Sequence, residues 1–196
     1  MAAVDRAAAL ALVLLSAAPA AAFSFDDGDT AAHERCALCH GLSGDTPRQK
    51  FPRLAGQRQG YIEKQLSAFR AGRRSNDGGQ MSAVVTELTP AQITEAAAWF
   101  AAQPHPAPYA DAHAGGGDLW RASGCGDCHA QSAQDAPDMP WLSSQHPDYL
   151  AKQMQDLRGG LRDGDPGGVM QAQLRALDGA GVDALAAWLS AQERRE

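Results

Sequence analysis

Cys36-Ala37-Leu38-Cys39-His40 and Cys125-Gly126-Asp127-Cys128-His129 place the same three reactive side chains in the same order twice. Two thiols three residues apart can each add across one vinyl group of a porphyrin. The histidine that follows directly then lies beneath the iron as proximal ligand, and C-x-x-C-H is the attachment signature of c-type haem. The same four cysteines could instead form a zinc site, and either pair a redox dithiol. Neither alternative explains the histidine after each pair, and a dithiol motif favours a βαβ setting of which this sequence shows no sign.

Each motif has a partner methionine. Met81 follows His40 by 41 residues, and Met170 follows His129 by 41. Both stand in polar, glycine-rich surroundings, Asn76-Asp77-Gly78-Gly79-Gln80 and Asp165-Pro166-Gly167-Gly168-Val169, and are expected in loops ahead of apolar helices. They read as the sixth ligands, because His/Met ligation suits an electron-transfer haem. Met139 and Met154 replace Phe51 and Leu66 and read as core filler. Pro52 and Pro140 lie 12 and 11 residues after the two histidines. A carbonyl there could accept the imidazole Nδ1–H and fix the ring; an ordinary turn proline is the equal alternative. His33, His105, His113 and His146 have no repeat partner and read as surface or linker residues.

These ligand sets sit on a duplicated unit. Tyr61-Ile62-Glu63-Lys64-Gln65-Leu66 is echoed by Tyr149-Leu150-Ala151-Lys152-Gln153-Met154, Arg70-Ala71-Gly72 by Arg158-Gly159-Gly160, and Trp99 by Trp188. The offset moves between 88 and 89, as two single-residue indels would give. Apolar spacing calls for helices and no strands. Ile62, Leu66 and Phe69 form one stripe, and Leu150, Met154 and Leu157 form its counterpart behind Pro147. Thr89-Pro90-Ala91-Gln92 is a capping box that opens a helix through Ile93, Ala97 and Phe100. A last helix begins after Asp178 and carries Val182, Leu185, Trp188 and Leu189. Each copy is expected to hold about three helices and long loops around an internal scaffold. Gly115-Gly116-Gly117 is expected to be a flexible stretch opening the second copy.

Residues 1–22, with Arg6 ahead of an apolar run and small residues up to Ala22, read as a secretory signal. The run is too short to span a bilayer, which needs about 20 residues. The expected organisation is signal 1–22, first haem domain 23–104, linker 105–116 and second haem domain 117–196. Five Phe, four Trp and three Tyr are few for two cores, which a large flat macrocycle would help to fill. The net charge of −6 argues against nucleic-acid binding. It is carried by the second half: residues 23–107 balance nine acids with nine bases, and residues 108–196 set thirteen acids against seven bases.

On the two C-x-x-C-H motifs, Phe51-Pro52-Arg53-Leu54-Ala55-Gly56-Gln57, Tyr61, Lys64-Gln65-Leu66, Asn76-Asp77 and Met81 with their second-copy equivalents, the chain resembles the di-haem class I cytochromes c of the c-four type. The resemblance implies an all-α fold of two tandem class I cytochrome c domains, packed face to face around two covalently bound haems. It implies thioethers at Cys36, Cys39, Cys125 and Cys128, proximal ligands His40 and His129, and distal ligands Met81 and Met170. The chain departs from the pattern before Cys36, where the Gly-x-x-aromatic signature seen as Gly117-Asp118-Leu119-Trp120 is missing, which leaves the packing of Trp99 open. Ser143-Ser144 in place of Ala55-Gly56 suggests a more polar haem environment in the second copy.

An iron held by His and Met has no open position, so the expected task is outer-sphere electron transfer and not catalysis. The expected setting is the periplasm. There the protein would shuttle single electrons from a quinol-oxidising membrane complex, a cytochrome bc complex, to a terminal oxidase or reductase. Peripheral membrane association is left open. The competing role is the electron-accepting subunit of a periplasmic dehydrogenase, for example one oxidising sulfide or an alcohol.

Overall fold

The structure, a computed structural model, describes residues 30–110, 114–130, 135–163 and 166–194. The expected signal, His113 and Asp165 lie outside the described residues. Within the described residues the chain is all-helical, without strands. The first copy contains α1 (Glu34–His40), α2 (Gln59–Arg70), α3 (Gln80–Thr86) and α4 (Pro90–Ala101). The second contains α5 (Ala114–Ala122), α6 (Gly126–His129), α7 (Pro147–Gly159), a 3-10 turn (Pro166–Gly168), α8 (Val169–Arg175) and α9 (Gly179–Ser190). No described helix is long and apolar enough to cross a membrane.

The helix starts follow local chemistry. Thr89 Oγ1 accepts from Gln92 N at 3.2 Å while Gln92 Oε1 accepts from Thr89 N at 2.9 Å, with Pro90 in the first turn of α4. Asp178 caps α9 by accepting from Gly181 N at 2.7 Å. The stripes then decide the packing. Ile62, Leu66 and Phe69 of α2 meet Ile93, Ala97 and Phe100 of α4, with Val85 and Leu88 closing the first core. Leu150 and Met154 of α7 meet Val182, Leu185, Ala186 and Leu189 of α9, with Leu174 closing the second.

Three expectations need correction. Met81 and Met170 are not in loops but in the first turns of α3 and α8, short helices that raise the count above three per copy. Gly115, Gly116 and Gly117 are helical, not flexible. A side chain at Gly116 would put its Cβ 2.3 Å from Ala184 O and from Trp188 Cβ, so the glycine lets α5 lie directly on α9. This close approach offsets the helix propensity that glycine lacks, about 1 kcal/mol per residue. We expect Gly116→Ala to cost roughly 1–3 kcal/mol through overpacking, read as a lower denaturation midpoint with unchanged slope.

The third concerns histidines. His146 is fully buried, not a surface residue. Its Nε2–H donates to Thr46 O at 2.9 Å, so its Nδ1 accepts from the Tyr109 hydroxyl at 2.5 Å, and the ring joins the two copies to the linker. Burial holds it below the ordinary imidazole value, with Arg53 adding to the effect. His33 is also buried and stacks on Trp99 at 3.8 Å. This stacking supplies a packing partner for Trp99 in the first copy, where the glycine-aromatic signature is missing. His105 is exposed, as a surface residue should be.

The copies meet across an approximate two-fold relation written in hydrogen bonds. Gln57 Nε2 donates to Trp141 O at 2.9 Å and its Oε1 accepts from Trp141 N at 2.8 Å. Its equivalent Gln145 does the same to Arg53, the equivalent of Trp141, at 2.9 and 2.8 Å. Arg74 reaches the Tyr149 hydroxyl at 3.1 Å, and Arg162 reaches that of Tyr61 at 2.9 Å. Such exchange of equivalent contacts is what an isologous interface requires. Arg194 ties both copies by donating to Ala55 O at 2.7 Å and Ser143 O at 3.0 Å, equivalent carbonyls; burial pulls its guanidinium down to about 10.

Candidate haem sites

α1 carries the first motif on one turn after another, so Cys36 and His40 share its buried face. Cys36 belongs to the first core, and Met81 packs against that core from α3. His40 is buried; its Nδ1–H donates to Pro52 O at 3.0 Å, and its ring meets Phe51 edge-on at 5.8 Å. The carbonyl therefore fixes the tautomer and points Nε2 away from the bond. Burial holds His40 below the ordinary imidazole value, with the Pro52 bond opposing, so the ring is a neutral donor. Burial also pushes the Cys36 thiol up to about 11.

The second site repeats this less tightly. His129 Nδ1 faces Pro140 O at 3.5 Å, and its ring lies 6.3 Å from that of Trp120, which packs on the second core beside Met170. Burial again lowers its pKa, opposed by the Pro140 bond and reinforced by Arg58. The helix is shorter here: α6 has 4 residues where α1 has 7. Cys125 is half-buried and Cys128 exposed, so neither joins the core as Cys36 does. The expected extra polarity of Ser143-Ser144 does not go into the core. Ser144, at φ 57°, gives its hydroxyl to Gln192 O at 2.8 Å, while Ser144 O and Ser143 O accept from Arg53 and Arg194.

One positioning residue escaped the sequence reading. Asp77 accepts from Gly79 N at 3.1 Å through Oδ1 and from Met81 N through Oδ2, which sets the start of α3 and the place of Met81. An aspartate ahead of Gly-Gly and a short helix was the available signal. The interface residues Gln57, Gln145, Arg74 and Arg162 were also missed. Their signal was that polar side chains recur at the same offset in both copies, which solubility alone does not demand.

The residues fit a covalently bound haem in each copy. All four cysteines are free of disulfides. His129 Nε2 is buried without a hydrogen-bond partner, the state of a nitrogen meant for a metal. Among the described residues no three His, Cys, Asp or Glu side chains converge on a point that could hold a bare ion.

Comparison with known proteins agrees. The family model described as Cytochrome c matches residues 25–103, the first copy. Cytochrome c4 of Thiocapsa roseopersicina is 33% identical over 174 residues, covering 83% of this chain and 89% of that protein. A thiosulfate dehydrogenase electron acceptor of Thiomonas intermedia is 33% identical, covering 80% of this chain and 78% of that protein. The crystal structure of reduced recombinant cytochrome c4 from Pseudomonas stutzeri superposes with a TM-score of 0.71 at 29% identity, covering 81% of this chain and 93% of that one. Two C-x-x-C-H motifs on two equivalent helical units, joined across a two-fold relation, belong with these relatives: the chain is a member of the cytochrome c family, of the di-haem c4 type, an electron carrier with two covalently bound c-type haems.

Proposed function

We propose that the chain is a periplasmic shuttle, exported behind a leader spanning 1–22, with haem domains 23–104 and 117–196 joined by 105–116. Cys36, Cys39, Cys125 and Cys128 form the thioethers, His40 and Met81 ligate the first iron, and His129 and Met170 ligate the second. When bound, each haem supplies a one-electron Fe(III)/Fe(II) couple. The protein's part is to hold two donors on each iron, leaving no position for substrate, and to keep the two halves in one fixed relation. The observation that carries the reading is the repeated geometry: each histidine faces its proline carbonyl, and each methionine packs against its own core. Electrons would pass singly from a quinol-oxidising cytochrome bc complex to a terminal oxidase or reductase.

A second reading is favoured by the likeness to a thiosulfate dehydrogenase electron acceptor. On it the chain takes electrons directly from a periplasmic dehydrogenase, and co-purification with a catalytic subunit would select it.

Met81→Ala and Met170→Ala test the ligand assignment. Each should remove the ferric Met–iron charge-transfer band of one haem in a spectroscopic redox titration. Each should also lower that haem's potential, because soft thioether ligation raises it. A variant that leaves both haems unperturbed would show that its methionine is not a ligand.

A further inference from the structure

We propose that Arg58 of the first copy raises the reduction potential of the second haem, as a fixed positive charge supplied across the interface. This rests on the reading that His129 ligates the second iron. Arg58 stands just ahead of α2 and is buried. Its Nη1 donates to Ala136 O of the second copy at 2.6 Å, and its guanidinium lies over the Trp141 ring at 4.0 Å. Trp141 follows Pro140, whose carbonyl faces His129 Nδ1. Gln57, the residue before Arg58, holds Trp141 by both its N and its O. The first copy thus presses a cation against the segment 136–141, which carries the carbonyl partner of His129.

The sign of the effect follows from charge. Reducing Fe(III) to Fe(II) removes one positive charge from the iron, so a nearby cation favours the reduced form. The same repulsion acts on His129, whose protonation Arg58 disfavours. Burial lowers the pKa of Arg58 too, yet a guanidinium stays protonated at neutral pH. Exposed charges around the second site count for less, because water and salt screen them. Asp127, Asp135 and Asp138 are all exposed, and Asp138 pairs with Lys64 at 2.6 Å.

The first site is arranged differently. The position equivalent to Arg58 is His146, whose protonation burial and Arg53 disfavour, and which reaches across the interface to Thr46 O. Arg53 follows Pro52, but Asp45 balances it at 3.0 Å, and its Nη1 is turned to Ala107 O and Ser144 O. What acts on His40 is burial and the Pro52 bond. The Arg58 charge therefore distinguishes two sites built on the same motif, and it biases a single electron toward the second.

The test is a redox titration of the holoprotein followed by paramagnetic proton NMR, with the two haems assigned by the signals that Met81→Ala and Met170→Ala displace. Arg58→Met keeps an unbranched side chain against Trp141 and removes the charge. It should lower the reduction equilibrium constant of the second haem about tenfold, which is about 59 mV for a one-electron couple, and that of the first haem by much less. Arg58→Lys keeps the charge while giving up the planar fork, and should retain most of the wild-type value. High salt should leave the difference between Arg58→Met and wild type nearly unchanged, since a buried charge is poorly screened. An unmoved second potential in Arg58→Met overturns the proposal. So does an equal fall in Arg58→Met and Arg58→Lys, which altered packing alone would produce, and so does an equal fall at both haems. A second haem whose spectrum survives His129→Ala unchanged would count against the ligand reading itself, and the inference would fall with it.

Discussion

Replacing Cys36 and Cys39 together by serine should abolish haem attachment in the first copy and unfold that half, leaving one haem per chain. The reason lies in how α1 is held. α2, α3 and α4 pack on one another through Ile62, Leu66, Phe69, Val85, Leu88, Ile93 and Phe100, whereas α1 contributes Cys36 alone to that core. Its other ties include His40 to Pro52 O, Arg35 to Glu87, Arg48 to Leu38 O, and Trp99 to the Leu42 carbonyl just beyond it. A unit of residues 23–104 has about 4–12 kcal/mol of stability in total. Losing a covalently attached group that completes the core would remove an amount of that order, as binding free energy is folding free energy in small domains of this kind. The haem-to-protein ratio should fall from two to one, and far-ultraviolet circular dichroism should lose roughly the helix content of α1–α4. Full helicity with a single haem would mean that the side-chain core suffices. The matching Cys125→Ser/Cys128→Ser variant should behave alike, because α6 is shorter still and neither cysteine joins the second core.

The C-x-x-C-H motifs and the helices of the duplicated unit were legible because both rest on short-range rules. C-x-x-C-H is a local covalent requirement, and the stripes of α2, α4, α7 and α9 follow helical periodicity. The capping box at Thr89 and the cap at Asp178 were readable for the same reason. What was not legible depends on tertiary partners. Gly115-Gly116-Gly117 has the composition of a flexible joint, and only the nearness of Ala184 and Trp188 makes it a helix contact. His146 has no repeat counterpart, yet Thr46 and Tyr109 from elsewhere in the chain bury it. Met81 reads as a loop residue by its glycine-rich approach, and the Asp77 carboxylate turns that approach into a helix start. Ser143-Ser144 looked like a change in the haem environment because sequence position cannot say which way a hydroxyl is used. The interface hydrogen bonds were the least visible, since neither partner in a Gln–backbone pair carries a pattern of its own.

Gln57→Ala and Gln145→Ala should each destabilise the protein by roughly 2–6 kcal/mol, at about 1–3 kcal/mol for each of the two backbone groups left without its partner. Each side chain closes a two-bond ring with one residue of the opposite copy, Trp141 or Arg53, and both glutamines are nearly fully buried. Each Oε1 also accepts from the next amide in its own copy, Arg58 N or His146 N, both at 3.0 Å, so truncation disturbs the local turn as well. The two changes should add up to less than their sum. Once one ring is lost, the halves separate more readily, and the second ring is then worth less. The double variant should unfold in two steps instead of one, with both haem spectra intact until the first step, as the contacts removed touch no haem ligand. Gln57→Glu sharpens the test: a carboxylate keeps the shape but cannot donate to Trp141 O, so it should be at least as damaging as alanine. Strict additivity, or a single transition in the double variant, would mean that the Arg74–Tyr149, Arg162–Tyr61 and Arg194 contacts hold the copies together without the glutamines.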